Sequence, residues 1–186
     1  MFIHLLGPSG SGTSTLGKAI SQRLNIPWFD SDDIFWIKTD PPFTKKRDTL
    51  ERQLILNELY NSNTNLVLSG SVLKWGNQIR DKIDLIIYLY LEPEKRIKRI
   101  IEREKERFGN RIEENNDMHQ GHLEFINWAR KYESGDMNMR SKISEEKWIE
   151  ECNCLKIRID KEMNIEEMLS LVEREISQIH PTTVST

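Results

Sequence analysis

Near its N-terminus the chain carries GPSGSGTST (Gly7, Pro8, Ser9, Gly10, Ser11, Gly12, Thr13, Ser14 and Thr15), set between an apolar run and a helical pattern. Glycines at that spacing let successive backbone N–H groups curl around phosphate oxygens, and the following helix adds its positive end. Ser14 stands where the pattern GxxxxGK[ST] puts the hydroxyl that meets magnesium, with Thr15 beside it. Thr13 stands where that pattern has lysine. The lysine spans the terminal phosphates and offsets charge as a phosphoryl group moves. Threonine donates one hydrogen bond and has no charge. The sequence therefore predicts phosphate binding by backbone, with either a cation from elsewhere or transfer that is slow or absent.

Two further clusters bear on that choice. "FDSDD" places Asp30, Asp32 and Asp33 directly after a strand ending at Phe29. In an open parallel sheet the carboxyl ends of the strands border the ligand crevice. A carboxylate there holds a magnesium water shell, orients an acceptor hydroxyl or accepts its proton, while the plainer role is to cap a turn. Asp32 is the expected base, Asp30 the expected partner of the metal or its water, and Asp33 a cap. Farther on, Arg96, Arg99, Arg103 and Arg107 recur at helical spacing and share one broad face. Glu102, Glu104 and Glu106 could pair with some of them on a solvated helix. Four in register, followed by Arg111, Arg130 and Arg140, fit anion clamps on a mobile lid, which would also answer the missing lysine. His119 and His122 lie three apart near Asp117, but with no third ligand in register except Glu124 they read as lid or surface residues.

These residues need elements to position them. Phe2–Leu6 reads as a short buried strand, followed by the glycine loop and a helix over about Thr13–Leu24. Lys46–Tyr60, with Leu50, Leu54 and Leu59 near helical spacing, predicts an amphipathic helix after the "TDPPF" turn. Leu66–Gly70, Asp84–Leu91 and Cys154–Ile159 read as strands, with charge-rich helix over Glu94–Arg107. The closing helix, Ile165–Ile179, has Ile165, Met168, Val172, Ile176 and Ile179 on one stripe. Strands alternating with helices predict an α/β fold with a parallel sheet covered on both faces. The stretch over about 108–147 carries no strand-like run and too little apolar content for its own core. It reads as a helical lid inserted into a single domain over 1–180, with 181–186 a tail.

The composition narrows the partners. A net charge of -3 gives no global attraction to nucleic acid, and no basic–aromatic interleaving is present. No apolar run approaches the roughly 18 residues of a membrane span. Cys152 and Cys154 are too few for a disulfide framework or a structural zinc site, and the expected setting is the cytoplasm, as a monomer or homodimer.

Taken together, "HLLGPSGSGTSTLG", "IPWFDSDDIFW", "DPPF", "VLSGSVLKWG", "DLIIYLYLEPEKRIKRIIERE" and "DMHQGH…WARKY" resemble the adenylate kinase-like branch of P-loop small-molecule kinases, which includes shikimate, gluconate and cytidylate kinases. They are similar above all to a bacterial group labelled adenylate kinase-related or DNA topology modulation protein. The resemblance implies a three-layer P-loop NTPase fold, a five-stranded parallel sheet in the order 2-3-1-4-5, and an arginine-bearing lid. It implies that Gly7–Thr15 holds the phosphates of ATP with Ser14 near Mg2+, and that Asp32 faces acceptor and metal. It implies that Arg99 lies near adenine and Arg103 near the phosphates, with Arg130 and Arg140 returning from the lid. Threonine for the loop lysine also occurs in archaeal-type cytidylate kinases. Ser69 departs from the aspartate of the adenylate kinase pattern, which speaks against AMP as acceptor. The expected activity is ATP-dependent phosphorylation of a small hydroxylated acceptor lying between Asp32, Trp36, Lys45–Arg47 and Ser71–Trp75, with Arg103, Arg130 and Arg140 offsetting charge. The alternative is a nucleotide-binding regulatory module with little turnover.

Overall fold

The computed structural model describes residues 1–179; the expected tail at 181–186 lies outside them. β1 (Phe2–Leu6) enters the glycine loop, which opens α1 (Thr13–Leu24). β2 (Trp28–Asp30) runs straight into the short α2 (Ser31–Phe35), started by Asp30, whose side chain accepts from the Asp32 backbone N–H. A hairpin of β3 (Trp36–Ile37) and β4 (Lys45–Lys46) follows, antiparallel, with Trp36 opposite Lys46. Next come α3 (Thr49–Ser62), β5 (Leu66–Ser69), β6 (Leu85–Leu89) and α4 (Pro93–Phe108). Proline in the first turn of α4 costs nothing, since that N–H has no intrahelical partner. A 3₁₀ turn at Gly109–Ile112 leads to α5 (His119–Arg130), α6 (Lys142–Glu150), β7 (Leu155–Ile159) and α7 (Ile165–Ile179).

Five strands form one parallel sheet in the order β2-β5-β1-β6-β7. Counting only its own strands, this is the expected order 2-3-1-4-5. Side-chain alternation then decides the layers. Ile3 and Leu5 of β1, Val67 of β5 and Leu85, Ile87 and Leu89 of β6 face Leu16 and Ile20 of α1 and Leu169 and Val172 of α7. The intervening Leu6, Leu66, Leu68, Ile86 and Tyr88 face Leu56 and Tyr60 of α3 and Trp148 of α6. Both faces are covered, so the central β5 and β6 are buried along their whole length, while β7 at the edge alternates, with Lys156 and Arg158 exposed.

α3 departs from expectation. It starts at Thr49, where Asp48 accepts from the Leu50 N–H at 2.8 Å, because Lys45–Lys46 is committed to the hairpin. Its inward face is Leu56 and Tyr60, while Leu50 and Leu54, expected in the buried stripe, are 70% and 69% exposed. A 3.6-residue period allows either stripe to turn inward, and the one facing Trp75, Ile79 and Ile83 did. In the region expected as a lid, α5 packs on α4 through Ile97, Ile100, Ile126 and Ala129, a cluster separate from the main core. α6, by contrast, sends Trp148 into the core of the body.

Candidate active site

The loop is built on glycine geometry and held from behind. Gly10 has φ +84, and a Cβ there would come within 2.7 Å of the Arg96 carbonyl oxygen. The Ser11 N–H donates to the Pro8 carbonyl at 3.1 Å, turning the chain into α1. Gly12 sits at the helix start with φ 106, and among the described residues no side chain caps that end. The first-turn amides of α1 are therefore left for an external acceptor. Ser11 Oγ is buried and makes no hydrogen bond among the described residues.

Behind the loop, Arg96 is fully buried. Its Nε donates to the Leu91 carbonyl at 3.0 Å, Nη1 to the Ser9 carbonyl at 3.1 Å and Nη2 to Glu133 at 2.6 Å. The guanidinium also stacks over Tyr132, 5.4 Å from its centroid. Expected as one of four anion clamps, Arg96 is instead a strut: each of its three nitrogens donates to the protein, and the side chain is closed to solvent.

In front of the loop five of the expected residues gather: Ser14, Asp30, Asp32, Arg103 and Arg140. Ser14 Oγ donates to Asp30 at 2.6 Å, joining the first turn of α1 to the end of β2. Asp32 is open to solvent, yet walled by protein on enough sides that burial raises its pKa, and Asp30 raises it further. Arg140 and Arg103 pull the other way. Arg103 is half-buried, its Nε without a partner among the described residues, and the charges of Asp32 and Asp30 reach it. Arg140 donates from Nη2 to the carbonyl of Gly7 and from Nε to Glu145 at 2.8 Å.

Other expected residues lie elsewhere. Arg99 is exposed on α4, near enough to Glu162 to lower that carboxyl's pKa, behind the hydrogen bond and charge of Lys95. Arg130 is exposed and lines a groove of about 510 Å³ with Pro93, Ile97 and Ile101, on a different face of α4 from Arg96 and Arg103. Arg111 bridges Asp40 of the hairpin and Asp117, each at 2.6 Å. His122 contacts Glu104 at 2.5 Å, and His119 the Ile112 carbonyl at 2.9 Å.

Several roles escaped the sequence reading. Ser69 Oγ accepts from Trp28 Nε1 at 2.9 Å and donates to the Thr13 carbonyl at 3.1 Å, so the departure from aspartate has become a bolt between sheet and loop. Gly17 is its counterpart: a Cβ there would collide with that hydroxyl. On the acceptor side, Phe35 and Trp75 stack at 6.1 Å, and Arg52 lies over both rings at 4.7 and 5.2 Å. Arg47, expected there, is taken up by the Ile34 carbonyl at 2.9 Å and by Glu51 at 2.5 Å. The glycine following the loop was the available signal; Arg52 has no aromatic neighbour along the chain and meets Phe35 and Trp75 only in the fold.

A family profile described as an AAA domain matches residues 3–121, well over half of the chain. The chain belongs to that family. Its five-stranded parallel sheet, glycine loop and flanking helices make a three-layer α/β P-loop fold. The chain is 34% identical over 170 residues to the uncharacterized protein YqaC of Bacillus subtilis, covering 91% of this chain and 94% of that one. It is 30% identical over 117 residues to shikimate kinase 1 of Erwinia tasmaniensis, covering 56% of this chain and 66% of that enzyme. The structure of shikimate kinase from Acinetobacter baumannii in complex with shikimate superposes with TM-score 0.54 across 99% of this chain and 95% of that one. At 17% identity that likeness is one of fold. No helix among the described residues is long and apolar enough to cross a membrane.

Proposed function

We propose that this AAA-family protein is an ATP-dependent phosphotransferase acting on a small hydroxylated acceptor: a nucleoside, a nucleotide or a related metabolite. One observation carries the reading: a phosphate loop, a carboxylate with raised pKa and two arginines face one crevice at the carboxyl ends of β1, β2 and β5. The shikimate kinase relatives support a hydroxyl acceptor. The finer placement with the adenylate kinase-related group rests on sequence motifs alone.

The loop amides and the first turn of α1 hold phosphate oxygens. Transfer breaks the bond from the bridging oxygen to the γ-phosphorus, leaving the electron pair on ADP, and forms a bond from the acceptor oxygen to that phosphorus. Asp32 orients the acceptor hydroxyl and takes its proton, a task helped by a carboxylate whose pKa is raised by burial and by Asp30. Arg103 and Arg140 offset the charge on the moving group. Ser14 and Asp30 suit magnesium: two hard oxygens 2.6 Å apart, for an ion that keeps several waters and takes few protein ligands. Bound there, it would neutralise charge across the phosphate oxygens.

Purified protein with Mg-ATP, offered nucleosides, nucleotides, shikimate and gluconate, should release ADP faster with one acceptor class than with water. Tight ATP binding with no phosphorylated product across the panel would sink the reading. It would favour the regulatory alternative, which Thr13 motivates, as would an Asp32→Ala protein that keeps whatever activity the parent has.

A further inference from the structure

Arg140 sits at one end of a buried chain of polar groups that the proposed reaction does not by itself require. Glu145, in the first turn of α6, is fully buried. It accepts from Arg140 Nε at 2.8 Å and from the Tyr132 hydroxyl at 2.6 Å, and that hydroxyl meets the Tyr88 hydroxyl at 2.9 Å. Ser141 and Ser144 form a capping box at the start of α6, and their hydroxyls also donate to the carbonyls of Asp136 and Met139. The segment that carries Arg140 is thus tied down on both sides. Burial works against the arginine's charge, but the charge and hydrogen bond of Glu145 outweigh it, and Asp32 adds to the effect. The other edge of the guanidinium donates to Gly7, the first residue of the loop, while Nη1 makes no hydrogen bond among the described residues.

A loop lysine reaches from the end of the nest to the terminal phosphates. Here Thr13 leaves that position neutral, and two cations are fixed against the loop's own backbone from outside: Arg96 on Ser9, fully buried behind the loop, and Arg140, which is not fully buried, on Gly7. Resting on the phosphotransferase reading above, we propose that Arg140 takes the loop lysine's place at the terminal phosphate, and that Glu145 is the positioning residue that holds it there. Arg103 differs in kind. It faces the aspartates, touches no loop atom through a hydrogen bond among the described residues, and has no buried carboxylate fixing its fork. A planar fork with one edge on Glu145 and one on Gly7 is pre-aimed; a lysine at 140 could not span both.

The test uses binding, so that it does not depend on turnover. Arg140→Met, Glu145→Gln and Arg103→Met are each made in the parent and together with Thr13→Lys. Affinity for a β,γ-imido ATP analogue is compared with that for ADP, with magnesium present, by calorimetry. The parent should prefer the triphosphate. Arg140→Met should lose at least about tenfold of that preference, Glu145→Gln a smaller part, and Thr13→Lys should restore it in both. A merely structural defect would weaken both nucleotides alike, and a lysine in the loop would not repair it. If Arg140→Met does not fold, the neutral Arg140→Gln carries the same comparison with the same outcomes. An unchanged triphosphate preference in Arg140→Met overturns the proposal. So does a loss that Thr13→Lys leaves unrepaired, or a loss and rescue seen in Arg103→Met instead. A parent that prefers the triphosphate yet phosphorylates nothing would defeat the phosphotransferase reading alone.

Discussion

The back and the front of the phosphate loop both carry arginines, and the two sides use them in opposite ways. Behind the loop, Arg96 is fully buried and its Nε, Nη1 and Nη2 each meet a protein acceptor. In front, Arg103 keeps a donor unpaired, and Arg140 leaves Nη1 without a partner among the described residues. Donor accounting separates a strut from a clamp where residue type and helical spacing do not. A guanidinium has five N–H donors in a fixed fork, and only those the protein leaves unused are available to a ligand.

The largest effect should come from the front, at Asp32. On the proposed mechanism, Asp32→Asn lowers kcat by about 10²–10⁴-fold. Because burial and Asp30 disfavour the ionised carboxylate in the folded protein, the substitution should not lower stability at neutral pH in urea titration. Turnover within fivefold of the parent would remove Asp32 from the chemistry. At the back the order reverses. Arg96→Met strands the Ser9 and Leu91 carbonyls and the Glu133 carboxylate, and should cost about 3 kcal/mol of stability. Arg103→Met, with its Nε unpaired already, should cost less than about 1 kcal/mol. Equal losses from the two substitutions would erase the distinction between the sides.

A third effect lies beneath the crevice. His4 is fully buried in β1, its Nε2 2.8 Å from the Gly70 carbonyl and its ring edge-on to Trp148. Burial lowers its pKa from 6.5 to about 4; the Gly70 hydrogen bond and Glu145 resist this, and Arg140 adds to it. The folded pKa is depressed, so the unfolded chain takes up the proton first. The stability involved is fully present above 6.5 and drains as pH falls toward 4, by about 3 kcal/mol in all. Urea midpoints across that window should fall less steeply for His4→Gln than for the parent. Parallel curves would mean that His4 is not held neutral.

How much of this the sequence disclosed depended on distance along the chain. The strands, the loop and α1 follow from short apolar runs and glycine spacing, and the sheet order follows from resemblance. α3 was misread because Leu50 and Leu54 make as good a stripe as Leu56 and Tyr60 until a partner surface chooses between them. Arg96 and Arg103 sit seven residues apart on one helix and look alike; Ser9, Glu133 and the aspartates tell them apart, and all come from other segments. Glu145 was invisible for the same reason. In the first turn of a capped helix, a glutamate ordinarily serves the helix dipole in water. Only folding brings Arg140 and Tyr132 to it, and only then is it a buried anchor.

The smallest effect is a shift in a pH profile, and it tests the front of the site group by group. Asp32 must be ionised to take a proton, so kcat/KM should rise with pH through its folded pKa. That pKa is raised, first by burial and then by the negative charge of Asp30, and is held back by Arg140 and Arg103. Removing a neighbour removes its contribution with the sign that neighbour carries. Asp30→Asn deletes a negative charge that favours the protonated form, so the acid limb should move to lower pH, whatever happens to the maximum rate. Arg103→Met deletes a positive charge that favours the ionised form, so the limb should move to higher pH. Arg96→Met changes a charge on the far side of the loop, is not among the groups acting on Asp32, and should leave the limb in place. Opposite displacements from Asp30 and Arg103, with none from Arg96, would show that two of these three charges share a crevice with the base and the third does not. Displacement in the same direction by both front-side variants would mean the limb belongs to another group.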